Sequence, residues 1–67
     1  MTVEVYCSFD SNNILNGVFS SELAAIKDIS DHNPDAKYMV ERDGPVTYLD
    51  APNPDYSYTV RRMKVKS

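Results

Sequence analysis

The chain opens on strict alternation. Along Thr2-Val3-Glu4-Val5-Tyr6-Cys7-Ser8-Phe9, the residues Val3, Val5, Cys7 and Phe9 share one parity; Thr2, Glu4, Tyr6 and Ser8 share the other. A period of two built from β-branched and aromatic residues predicts a half-buried strand. Asp10-Ser11-Asn12-Asn13 follows. These side chains bond to nearby backbone and the asparagines tolerate positive φ, so the segment reads as a turn. Residues Ile14 to Phe19 then supply a second strand, and the first twenty residues read as a β-hairpin.

The period changes after Phe19. Ser20 or Ser21 suits a helix N-cap, with Glu22 well placed in the first turn. Leu23, Ile26 and Ile29, joined by Ala25, make an apolar stripe, while Glu22, Lys27 and Asp28 face water. Asp31-His32-Asn33-Pro34 ends the helix near Ser30, because Pro34 disfavours the α region at Asn33. A helix of about ten residues does not hold alone and must lie on a sheet.

Lys37 to Arg42 predicts a third strand, Asp43-Gly44-Pro45 a turn, and Val46 to Leu49 a fourth strand. Asp50-Ala51-Pro52-Asn53-Pro54-Asp55 holds two prolines and reads as an exposed loop. Tyr56 to Lys66 alternates through Tyr58 and Val60, yet Met63 and Val65 fall on the opposite parity. Either a bulge near Arg61-Arg62 corrects the phase, or the second half of the strand faces a different surface. The order β-β-α-β-β-β predicts an α+β domain over residues 1–67. Its antiparallel sheet has four to five strands, with one short helix on one face. The helix is the only cover, so the other face meets water or a partner, and parity puts Tyr6 on that outer face.

Charge sharpens this picture. The net charge is −3, but residues 1–60 hold all ten acids against Lys27, Lys37 and Arg42, which gives −7. The last seven residues hold Arg61, Arg62, Lys64 and Lys66, which gives +4. Such segregation steers binding to a charged partner, or marks a terminal strand whose cations discourage edge-to-edge pairing. Cys7 is the only cysteine, so no disulfide forms within the chain, and a small core residue in a reducing compartment is expected. No secretory leader is visible and no apolar run approaches the roughly 20 residues that cross a bilayer. A cytoplasmic location without membrane contact is the expectation.

Catalytic chemistry needs convergent groups in complementary roles. His32 is the one histidine, and its place after the helix suits a capping cation. Asp28 and His32 are four apart and can touch, but two ligands do not make a zinc site. Asp10-Ser11-Asn12-Asn13 fails as a calcium loop, since Ile14 takes a ligand position and Leu15 stands where glycine is needed. No phosphate-cradling glycine loop is present. The expectation is a non-enzyme without cofactor or metal.

Two binding surfaces are suggested instead. Five tyrosines among 67 residues suit an aromatic rim, and Tyr48, Tyr56 and Tyr58 flank the proline loop. The basic end could track phosphates with Tyr56 and Tyr58 stacking bases, although the acidic body repels a polyanion. The acidic body could also mimic DNA, though its carboxylates are scattered.

The segment Val3 to Asp10, followed by Asn16-Gly17-Val18-Phe19-Ser20-Ser21-Glu22-Leu23-Ala24, resembles the start of very small phage-encoded accessory proteins. There a strand, a polar turn and a Gly-Val-Phe-Ser-Ser-Glu hairpin exit lead into a short helix. The resemblance covers the first third of the chain. It implies a protein that binds a host protein, such as RNA polymerase or a defence-system component, and inhibits or redirects it. It implies no catalytic or cofactor residues. The expected partner surface combines Tyr6, Tyr48, Tyr56, Tyr58, Arg61, Arg62, Lys64 and Lys66, on a monomer or weak homo-oligomer. The alternatives are a nucleic-acid-binding accessory protein using the basic strand, and a small structural or virion component.

Overall fold

The computed structural model describes residues 2–66. Strand β1 (Thr2–Phe9) turns into β2 (Leu15–Phe19), and helix α1 (Glu22–His32) follows. Strands β3 (Met39–Asp43), β4 (Val46–Asp50) and β5 (Tyr58–Lys66) complete the chain, with a single 3-10 turn at Pro54–Tyr56 before β5. The five strands form one sheet in the order β2-β1-β5-β4-β3, and every pairing is antiparallel. This is the expected α+β fold.

Local chemistry explains the joints. The Asp10 carboxylate accepts from the Asn12 and Ile14 amides at 2.9 and 3.0 Å, and Asn13 takes φ 62°, a region asparagine tolerates well. A bulge between Ser8 and Phe9 absorbs the odd residue of the hairpin. Ser21 is the N-cap and accepts from the Ala24 amide at 3.1 Å. At the other end, the Asn33 amide nitrogen donates to the Ile29 carbonyl at 3.0 Å, closing the last turn. Gly44 turns β3 into β4 at φ +58°, where a β-carbon would be strained.

The helix leaves β2 at one edge and lies over β2, β1 and β5; residues 33–38 then carry the chain to β3 at the other edge. Ala25 and Ile29 of the helix and Leu49 and Val60 of the sheet form the buried core between the two layers, with Tyr6, Phe19, Ile26, Tyr38 and Tyr58 packed around them. Directly paired residues of neighbouring strands share a face. The helix side therefore carries Tyr6 with Phe19 and Arg62, Ser8 with Gly17 and Val60, and Thr47 with Arg42.

Two expectations are corrected here. Tyr6 is on the helix side, not on the outer face, and it is Val3, Val5, Cys7 and Phe9 that face away from the helix. Ser8 on this side is fully buried, and a β-carbon on Gly17 would meet the Phe19 ring at 2.9 Å. Gly17 thus lets the Phe19 ring lie back over the sheet and pack against the core, which the buried Leu49 and Val60 of the neighbouring strands fix on this side. Leu23 also departs from the expected stripe, being 77% exposed; the buried helix positions are Ala25 and Ile29.

β5 resolves the parity question. Its register with β1 runs unbroken from Lys66 opposite Thr2 to Thr59 opposite Phe9, so no bulge intervenes. Tyr58 and Val60 face the helix, while Met63 and Val65 face the other side with Val5 and Val3. β5 is also the middle strand rather than an edge.

Candidate interaction surfaces

The sheet face away from the helix is largely apolar. Cross-strand pairing sets Val65 beside Val3, Met63 beside Val5, Val18 and Arg61 on either side of Cys7, and Leu15 and Thr59 on either side of Phe9. Val46 continues the row from Arg61, and Tyr48 the row from Thr59. Val3, Val18, Met63, Val65, Leu15 and Tyr48 are all exposed. Glu41, Asp43 and Asp50 share this face along the β3 side. The pattern is an apolar centre with an acidic rim on one side.

Arg61 is the cation within this face. Its guanidinium carbon stands 5.0 Å from the centroid of the Phe9 ring, a cation–π distance, and its Nε is buried without a hydrogen-bond partner. Cys7 lies between Arg61 and Val18 and is buried by these taller neighbours.

The ends of β1 and β5 reach past the other strands. β2 pairs with β1 only from Tyr6 onward, and β4 pairs with β5 only as far as Arg61; the Arg62 amide adds one bond to the Pro45 carbonyl at 2.8 Å. Residues 2–5 and 63–66 therefore form a two-stranded ribbon. One side is Val3, Val5, Met63 and Val65. The other pairs Glu4 with Lys64 and Thr2 with Lys66, with Arg62 at the base opposite Tyr6. Edge protection by cations, expected of a terminal strand, applies to this ribbon alone.

The expected partner surface is thus divided. Arg61 and Tyr48 lie on the apolar face; Tyr6, Arg62, Lys64 and Lys66 lie on the helix side. Tyr58 belongs to the core, where its ring meets Tyr38 edge-on at 6.3 Å between centroids, and its hydroxyl accepts weakly from Asn33 at 3.4 Å. Burial, together with Tyr58, raises the Tyr38 phenol above its ordinary pKa. Tyr56 is exposed on an open cleft of about 510 Å³ between the segment after the helix and the loop before β5, lined also by His32, Pro34, Lys37 and Pro52. Sequence reasoning missed the apolar face because it assigned Val3, Val5 and Phe9 to the core. The signal was present in the parity of Met63 and Val65.

His32 is the last residue of the helix rather than one beyond its end, and Asn33 is the C-cap; the imidazole still stands at the C-terminal turn, where a cation is favoured. Its Nδ1 lies 2.8 Å from the Asp28 carbonyl and 3.6 Å from the Asp28 carboxylate, and that backbone bond, reinforced by the charges of Asp28 and Asp31, raises its pKa above 6.5. On the outer edge, Arg42 pairs with Glu22 at 2.6 Å and fastens β3 to the helix start. Among the described residues, no three metal-ligating side chains cluster, and no helix is long and apolar enough to cross a membrane. Set against known protein families, curated proteins and solved structures, the chain shows no match.

Proposed function

We propose that this chain is a non-catalytic binding module that captures another protein through the charged side of the β1–β5 ribbon. The observation that carries the reading is the ribbon itself. It reaches beyond its neighbours, and it gathers Arg62, Lys64 and Lys66 on one side of an otherwise acidic chain. Three cations at alternate positions, with Tyr6 at their base, suit an acidic protein surface and would steer its approach. The unpaired backbone of residues 63–66 offers an edge for strand addition at the same place. In keeping with the resemblance to phage accessory proteins, the partner is a host protein that the module inhibits or redirects in the cytoplasm.

Affinity purification from host extract tests this, with wild type beside Lys64→Glu/Lys66→Glu. One protein retained after nuclease treatment, and lost from the charge-reversed variant at unchanged circular dichroism, is the expected result. Equal retention by both forms overturns the assignment of the ribbon. Retention abolished by nuclease, with a steep salt dependence, would mark a nucleic-acid binder instead.

A further inference from the structure

The apolar face of the sheet is a second surface, on the opposite side of the ribbon from the cations. We propose that it packs against the same face of a second copy of this chain, giving a two-fold dimer of helix, sheet, sheet and helix layers.

Three observations favour a second copy as the occupant. The first is the amount of surface left open. The chain exposes 4822 Å², whereas a compact monomer of 7.6 kDa exposes about 4,300 Å². A one-sided sheet accounts for an excess of this kind. The second is area. Five strands of 8, 5, 5, 5 and 9 residues outline a face of roughly 520 Å² at ordinary spacing and rise. Two such faces together reach the roughly 1,000 Å² that a specific but weak, concentration-dependent interface needs.

The third observation is composition. Val3, Val5, Val18, Met63 and Val65 form an aliphatic patch toward the ribbon end, the acids Glu41, Asp43 and Asp50 stand at the opposite side, and Arg61 lies between Cys7 and Val46 with its guanidinium carbon 5.0 Å from the Phe9 centroid. In a two-fold arrangement the aliphatic patch packs at the centre while Arg61 of each copy is within reach of the acids of the other. An aliphatic band of this kind matches an identical band at the ordinary sheet-to-sheet distance of about 10 Å. Such packing would also relieve the thin core, whose buried cluster is only Ala25, Ile29, Leu49 and Val60, and would cover Cys7 from the other side. The dimer leaves Arg62, Lys64 and Lys66 of both copies free, so it would present two charged ribbons at once and gain avidity for a repeated target.

Sedimentation equilibrium of the purified chain, over roughly 5 to 500 μM, is the deciding measurement. Twice the monomer mass is expected. Val18→Glu/Met63→Glu should halve that mass, while Leu23→Glu, on the exposed helix surface, should leave it unchanged. A wild-type monomer throughout overturns the proposal, as does a dimer indifferent to Val18→Glu/Met63→Glu, which would place association at the strand edges. Should that variant unfold, isotope-filtered NMR on mixed labelled and unlabelled wild type replaces it. Intermolecular contacts among the Val3, Val18, Met63 and Val65 methyls are expected, and their absence from a dimer sinks the idea. The outcome is independent of host-protein capture, because the Lys64→Glu/Lys66→Glu variant should dimerise normally.

Discussion

Arg61 and Phe9 are stacked across two central strands, guanidinium over ring at 5.0 Å, on the side of the sheet that the helix does not cover. The arginine contributes both an aliphatic stem and a charge to that face, and its dry Nε works against the gain. Cation–π contacts at such sites are worth about 0.5–1 kcal/mol. Arg61→Ala should therefore cost on the order of 1 kcal/mol through lost packing and stacking. Arg61→Met, which keeps the stem and removes the orphaned donor, should lie within about 1 kcal/mol of wild type. Urea denaturation of the two variants checks the ordering; an Arg61→Met variant weaker than Arg61→Ala would contradict it.

Gly17 makes a sharper case. A β-carbon there would stand 2.9 Å from two carbons of the Phe19 ring, and Phe19 packs against the core. The ring must swing out of place, so Gly17→Ala should cost about 1–3 kcal/mol, as overpacking does. Combining it with Phe19→Leu should cost clearly less than the two single changes added together. Additive losses in thermal or chemical unfolding would mean that the two positions do not compete for the same space.

The helix offers a pair of aliphatic positions with opposite expectations. Ile29 is 2% exposed and Ile29→Ala should lose about 2–5 kcal/mol. Leu23→Ala, on the solvent side, should stay within about 0.5 kcal/mol of wild type. Comparable losses at both sites would show that the helix is rotated relative to the structure described.

His32 gives a pH signature. Its folded pKa is raised above 6.5 by the Asp28 carbonyl, the Asp28 carboxylate and the more distant Asp31, so the folded state holds the proton more tightly. That contribution is fully present below pH 6.5 and disappears as pH rises through the folded pKa. The stability gap between wild type and His32→Gln should accordingly shrink from pH 6 to pH 8. An NMR titration of the His32 ring with a midpoint at or below 6.5 would refute the sign.

Much of this fold is legible in the chain, and for identifiable reasons. Turn chemistry at Asp10–Asn13, the Ser21 cap and the Asn33-Pro34 stop are local, so they place the hairpin and both helix ends to within two residues. The choice of sheet face is not local. Val3, Val5 and Phe9 outrank Glu4, Tyr6 and Ser8 in hydrophobicity, yet the helix lies on the side where Phe19 folds back over Gly17 and where Val60 and Leu49 wait on the other strands. Only the three-dimensional pairing reveals that. The same inversion split the expected aromatic and basic surface: Arg61 and Arg62 are adjacent in sequence and point to opposite sides of one strand.

The central position of β5 has a consequence for how the chain reaches this state. It joins β1 across fifty to sixty-four positions of sequence, and it alone connects the β1–β2 hairpin to the β3–β4 hairpin. Those hairpins need only short turns and can form early, whereas closing a loop of that length carries an entropic cost that local contacts do not repay. Long-range pairing of this kind slows folding. Without β5 the two hairpins share no strand pairing, and the last strand is the seam that makes one sheet of both.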